Sequence, residues 1–394
     1  MTSRARPARV RPGCIAVPAV VVALLGCALA ATPAQAAAAA PMVSAVSTSS
    51  DSWVALPMGD LSNPSNTFWE LFHVAAGSSH WSLETPPGVA DNGGLIESAS
   101  AGAALVGFLP SGLLRFSPLA QSADGGSSWV PAFLPGALAP LPDALAYDSA
   151  SPGGGAIALL GDGRALRGPV GLSSWSPLIA AAALNRMSPD CSVDGLDGAA
   201  FLPGGAPLIA TGCRRGGQVG LFTRTSAAWE SVGLTLGAPL RGAATTVLRV
   251  QSTAVATTVL ALASWDGRRA LVATWRGVSA TWTVARPLVL RPGTSVRSTA
   301  VNARGDVAVL LGGAGGGREA VDVAPTGTWD QLPPLPAKTA AVALPTGAIP
   351  SSRTGIDAFT VDGESLGVFS LTPSGEAWAR SQSSQIPLAY GSSS

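Results

Sequence analysis

Trp81, Trp129, Trp175, Trp229, Trp282, Trp329 and Trp378 follow one another at intervals of 48, 46, 54, 53, 47 and 49 residues. A period near fifty residues is the length of one four-stranded antiparallel unit, and self-similarity at fixed period marks a repeat architecture. The surroundings recur as well. A short polar loop precedes each indole (SADGGSSW, VGLSSW, RTSAAW, GVSATW, APTGTW, TPSGEAW). Further upstream a turn separates two apolar runs, with Gly112, Gly163, Gly217, Gly267, Gly316 and Gly363 in the later units and Asn66 in the first. Gly and Asn accept the left-handed backbone that tight hairpins need, so each pair of runs reads as a β-hairpin.

Each unit therefore reads as strands A and B, a tight turn, strand C, a polar loop and a Trp-led strand D. In the sixth unit B, C and D are expected at 306–311, 319–324 and 329–332. Strand A is the faintest, with Phe201, 245–250 and 298–301 in suitable segments. A lone sheet of this kind leaves both faces bare, so the units must stack, and radial stacking closes a seven-bladed β-propeller of four-stranded antiparallel blades over 42–394. A two-sheet sandwich gives no reason for the coincident turn and loop chemistry. Composition agrees: with 47% hydrophobic and 12% charged residues the chain can bury a core, while 47 Gly and 32 Pro interrupt helices throughout. One short helix is expected at 179–187, and either 386–390 or 42–47 is a candidate for the strand that closes the ring.

The N-terminus reads as an export signal over 1–36: Arg4, Arg6, Arg9 and Arg11, an apolar run at 15–31, then Ala34-Gln35-Ala36 with cleavage after Ala36 and an Ala-rich leader at 37–41. The run is short for a bilayer span and Pro18 interrupts it, so no integral membrane segment is expected in the mature, secreted chain. Leu24-Leu25-Gly26-Cys27 resembles a bacterial lipobox, and a lipoprotein anchored through Cys27 is the alternative. Charges nearly cancel, 24 basic against 23 acidic, which leaves no footprint for nucleic acid. Of four cysteines only Cys191 and Cys213 follow the signal. In an oxidising compartment they make one disulfide, worth roughly 3 kcal/mol through loop closure, with two buried free thiols as the alternative.

Chemistry-bearing motifs are scarce. His73 and His80, the two histidines, lack zinc-site spacing, no G-x-S-x-G elbow occurs, and the GGG runs at 153–155 and 315–317 lack a following Lys-Ser or Lys-Thr. No metal or cofactor is expected. The scarce charge collects at the B–C turns, which makes Arg214, Arg215, Asp266, Arg268, Arg269 and Arg318 the candidate ligand-binding set. Solvation of exposed hairpin tips is the plainer account of the same charges.

Ser122-Ala123-Asp124-Gly125-Gly126-Ser127-Ser128-Trp129 matches the pattern S-x-D-x-G-x-x-W and so resembles the Asp-box of BNR-repeat propellers. The sixth unit resembles a kelch repeat, with Gly312-Gly313, Trp329 and the trailing Pro333, Pro334 and Pro336, though the kelch Tyr is absent. Ser122, Asp124, Gly126 and Trp129 are read as structural, because side-chain acceptors and a left-handed Gly stabilise the loop locally. BNR propellers include sialidases, so the resemblance implies a glycoside hydrolase as one alternative, sited in the central funnel. That pattern requires an Arg triad, a Tyr paired with Glu and an acid Asp; here only Tyr147 and Tyr390 exist, neither beside a Glu partner, and the early F/Y-R-I-P motif is missing. The reading therefore favours a bacterial, non-enzymatic binding or scaffold module for an extracellular protein or glycan.

Overall fold

The computed structural model describes residues 43–386 apart from 60–66, 88–93, 101–102, 110–114, 226–227, 255, 278–279, 326 and 346–354. The export signal with its cleavage after Ala36, Cys27, the 37–41 leader, Asn66, Gly112 and Tyr390 lie outside the described residues. What remains is all-β with one helix among the described residues, Ala181–Met187, two residues inside the expected bounds.

The strands pair as antiparallel A-B-C-D meanders in chain order. Their A strands are Ser44–Ser47, Gly94–Ser100, Leu145–Asp148, Val193–Leu202, Ala244–Ser252, Ser295–Val301 and Thr339–Ala343, hereafter the first to seventh meanders. In the sixth, B, C and D are Val307–Gly312, Arg318–Val323 and Trp329–Gln331, within a residue or so of expectation. The middle strand VAVLLG is buried at every position, as a strand covered on both faces must be, and accordingly reads as a continuous apolar run. The fifth meander shows how turn chemistry sets register. Ala256–Trp265 and Arg268–Gly277 pair from Trp265↔Arg268 to Ala256↔Gly277, and the turn residues Asp266 and Gly267 have φ of +45° and +73°. Two successive left-handed residues match the twist of a hairpin, and Asp-Gly supplies them.

Hydrogen bonding does not separate every meander. The second, third and seventh stand as four-stranded sheets. The first and sixth join through a parallel pairing of Ser44–Ser47 with Ser295–Val301, and the fourth and fifth join at Cys213↔Thr245. Five sheets therefore result among the described residues, one join running between two A strands and the other from the end of the fourth B strand to the fifth A strand. Each A strand touches the A strand of the next meander, and that of the seventh touches that of the first, so the succession returns to its start.

Indoles carry several of these junctions. Trp81 of the first meander is buried against the seventh: its Nε1 donates to Asp357 Oδ2 at 2.8 Å, its ring meets Phe359 edge-on at 5.0 Å, and Gln382 brackets its backbone. Trp129 of the second meets Trp53 of the first at 6.2 Å, Trp175 of the third donates to Phe133 O at 2.9 Å, and Trp378 of the seventh donates to Pro333 O at 3.2 Å. Each reaches backwards onto the preceding meander. Closure adds to the Trp81 contacts one backbone bond, Gly59 N to Gly363 O at 3.0 Å, while Ser44–Ser47 is the A strand of its own meander and pairs antiparallel with Asp51–Gly59.

The middle is filled by a buried ion pair. Arg249, on the fifth A strand, donates from Nε to Asp143 Oδ1 at 2.9 Å and from Nη1 to Ala45 O and Thr299 O at 2.9 and 3.1 Å, tying four meanders together. Asp143 Oδ2 also accepts from Val250 N, so the carboxylate is fully engaged. Burial pushes the Asp143 pKa up, and the Arg249 charge opposes that push. Cys191 and Cys213 form the expected disulfide, Cα–Cα 4.7 Å, stapling the approach to the fourth A strand onto the end of its B strand.

Candidate binding site

Strand alternation places A–B and C–D loops at one end of the ring and B–C turns at the other. Because A strands are innermost, the A–B loops crowd the axis. They enclose a depression of about 550 Å³, a volume in the usual range for ligand cavities. Its floor is made by residues near the ends of three A strands, Tyr147, Phe201 and Val250, and its walls by Thr48, Ser49, Ser151, Gln251, Ser252 and Thr253.

Glycine lets the walls meet. Gly204 and Gly205 turn the fourth A–B loop with φ of +90° and +82°, and a Cβ on Gly205 would lie 2.7 Å from the Gly153 backbone of the neighbouring loop. Any larger residue would force the two loops apart. On the opposite wall Gln251 Nε2 donates to Ser47 O at 2.8 Å, while its Oε1 has no partner among the described residues. The Tyr147 hydroxyl is occupied beneath the floor, accepting from Gln121 and donating to Val170 O at 3.3 Å; burial, and then Asp148, raise its pKa. Asp148 is the carboxylate of the lining, and its Oδ1 accepts from Ala150 N and Ser151 N at 3.0 Å each. The depression thus offers aromatic surface, hydroxyls, an amide and loop carbonyls, with its one charge engaged locally.

A second carboxylate lies between the fourth and fifth meanders. Asp197 sits where the A–B ladder shifts register at Leu196/Gly198, and its Oδ2 accepts from Val247 N at 2.7 Å. Burial, partly offset by that bond, pushes its pKa up to about 7, with Asp194 adding to the rise.

The B–C residues singled out by sequence lie at the other end and do not line this depression. Arg214 pairs with Asp194 at 2.6 Å, Arg215 Nη2 donates to Pro189 O at 3.4 Å, Arg269 donates to Thr294 O, Asp266 is a turn residue, and Arg268 lies beside it. Arg318 lines a separate cavity of about 320 Å³ with Arg297 and Gly312. These tips are one strand further from the axis, so they do not converge. In sequence Tyr147 stands out only as a tyrosine without a Glu partner and Phe201 only as an A-strand residue, while Gln251, Ser252 and Thr253 carry no signal, because nothing local reveals which A–B loops line the recess.

The loop at Ser122–Trp129 is held from within. Ser122 Oγ donates to Asp124 Oδ1 at 2.9 Å, Gly126 N donates to Ser122 Oγ at 2.9 Å, and Ser128 donates to Asp124 through N at 2.9 Å and Oγ at 2.6 Å. The two Ser128 bonds are the main reason the Asp124 pKa is lowered. Gly125 and Gly126 have φ of +71° and +92°. His73 is buried, 3.0 Å from Asp51 Oδ1 and 4.2 Å from the Trp53 ring, whereas His80 is exposed. Among the described residues no group of three His, Cys, Asp or Glu side chains could hold a metal, and no helix is long and apolar enough to cross a membrane.

No family model matches the chain, and no curated protein matches it. Solved structures do. The GH74 xyloglucanase from Xanthomonas campestris is 13% identical with a TM-score of 0.52 over 84% of this chain and 52% of that one, so the chain spans about half that enzyme's length. A protein from Lactobacillus plantarum is 10% identical with a TM-score of 0.53, covering 85% of this chain and 96% of that one. A fungal lectin of six-bladed β-propeller fold from Aleuria aurantia is 15% identical with a TM-score of 0.39, over 74% and 95% of the two chains. The chain is an all-β protein with β-propeller neighbours.

Proposed function

We propose that this protein is a seven-bladed β-propeller that binds an extracellular glycan, without catalysis, in the depression at its A–B end. The blade count is supported by seven successive meanders, by the cyclic contact of their A strands and by the Trp81 junction between last and first. The glycan reading rests on one observation: the lining joins an aromatic floor to hydroxyl and amide walls. Sugars present apolar C–H faces and hydroxyl edges, which such a lining complements. An extracellular protein is the other partner class, but it would require a larger apolar surface than this recess offers. Export through residues 1–36 is part of the proposal, and the Cys191–Cys213 disulfide suits an oxidising compartment. Hydrolysis in the same recess would require two converging carboxylates. Asp148 is engaged in its own turn, which argues for binding alone.

A neutral and acidic glycan array probed with purified protein tests this. Discrete hits are expected, lost in Gln251→Leu with the thermal midpoint kept. Absence of hits, or turnover of aryl glycosides that Asp148→Asn abolishes, would overturn the reading.

A further inference from the structure

The third, fourth and fifth meanders share a feature absent from the other four. Each carries an arginine at the penultimate position of its C strand: Arg167 in Arg164–Gly168, Arg224 in Gln218–Thr225 and Arg276 in Arg268–Gly277. The last residues of C strands lie at the A–B end, so all three arginines stand at the same end as the depression built by the same meanders.

Two smaller cavities connect them to it. One of about 260 Å³, between the third and fourth meanders, is lined by Gly153, Arg167, Gly204, Gly205 and Arg224, and shares Gly204 with the depression. Another of about 250 Å³, between the fourth and fifth, is lined by Thr257 and Arg276 and shares Leu202, Pro203, Thr253 and Ala254. A continuous track thus crosses the fourth A–B loop with cationic groups at both ends.

These cations are not spent on carboxylates. Arg167 donates to Gly153 O and lies 5.9 Å over the Phe201 ring. Arg224 and Arg276 have no ion pair among the described residues, and Arg276 Nε is enclosed without a partner. Glu230, the nearest acid in sequence to Arg224, pairs across the sheet with Thr223 and accepts from Thr225 Oγ1, which puts it on the opposite face from Arg224 and its partner Trp229. A guanidinium that lines a cavity and has no carboxylate partner favours a carboxylate or sulfate oxygen, which takes charge-assisted hydrogen bonds from it.

We propose that the track takes a linear anionic polysaccharide, with acidic groups on separate sugar units held by Arg167 and Arg224 at one end and by Arg276 at the other. The proposal rests on the glycan reading above and specifies its charge.

Calorimetric titration with three oligosaccharides of equal length, one uncharged, one carboxylated on every unit and one sulfated, and with poly-glutamate as an anionic non-sugar, tests it. The probes are applied to the wild type, Arg224→Ser, Arg224→Ser/Arg276→Ser and Arg268→Ser, which lies at the far end. At least one acidic oligomer is expected to bind roughly tenfold tighter than the neutral one. Arg224→Ser, a change at an exposed side chain, loses part of that advantage and the double variant most of it, Arg167 keeping the remainder, with neutral binding kept, while Arg268→Ser loses none. Equal affinity for neutral and acidic oligomers would overturn the anionic track and leave glycan binding standing. Binding of none of the three, or tighter binding of poly-glutamate, would overturn the proposal together with the glycan reading.

Discussion

The two ends of the ring differ in what their charges and glycines do. At the B–C end charge is abundant and satisfied close by: Arg164 with Asp162 at 2.7 Å, Arg214 with Asp194 at 2.6 Å, Lys338 with Asp362 at 2.6 Å. Such exposed pairs contribute about 0–1 kcal/mol each and serve mainly to solvate tight turns. The recess at the A–B end is lined by a single charged residue, Asp148, Gly205 and Gly153 allow backbones to touch, and Tyr147 and Phe201 are held by the scaffold beneath. The difference teaches that a recess follows from position relative to the axis rather than from local density of polar residues.

That contrast presupposes a closed, filled axis, and the largest effect tests it. Asp143→Asn removes the charge facing buried Arg249 and should lower unfolding stability by about 3–5 kcal/mol in a denaturant titration. A loss below about 1 kcal/mol would mean that the axis is open to water.

The seam between the seventh and first meanders should matter more than an interior junction. Trp81→Phe strips the donor from buried Asp357, whose pKa burial already raises, and should cost about 2–3 kcal/mol. Trp175→Phe, which frees only a backbone carbonyl at a half-exposed ring, should cost about 1 kcal/mol. Equal losses in thermal denaturation would remove the distinction between seam and interior.

A smaller effect distinguishes the fourth–fifth junction by pH. The folded pKa of Asp197 is raised to about 7, above its value in an unfolded chain, so its contribution is fully present below about pH 4 and lost as pH rises through 7. Asp197→Asn, which can still accept from Val247 N, should therefore raise the thermal midpoint at pH 8 and change it little at about pH 4. An equal shift at both pH values would contradict the raised pKa.

Much of the architecture was legible because it is written in local chemistry. Asp266-Gly267 demands a hairpin wherever it sits, VAVLLG must be covered on both faces, and the Trp period marks the D strands. The Cys191–Cys213 pairing followed from there being only two cysteines after the expected signal. Other features depend on long-range approach that no local pattern encodes. The parallel pairing of Ser44–Ser47 with Ser295–Val301, the Arg249–Asp143 pair 106 residues apart in sequence, and the choice of A–B loops that face the axis arise only when the ring closes. The B–C arginines drew attention because charge is rare in this chain. The penultimate C-strand arginines were equally visible but lacked a register until the strand ends were known.

Steric blocking at each end tests the central claim most directly. Ala254→Trp fills the recess from an exposed loop position, whereas Arg214→Ser/Arg215→Ser/Arg268→Ser/Arg269→Ser strips the B–C tips. With the same glycan-array ligand, Ala254→Trp should weaken binding at least tenfold and the fourfold variant less than twofold. The reverse order would place the binding surface at the B–C end and contradict the account.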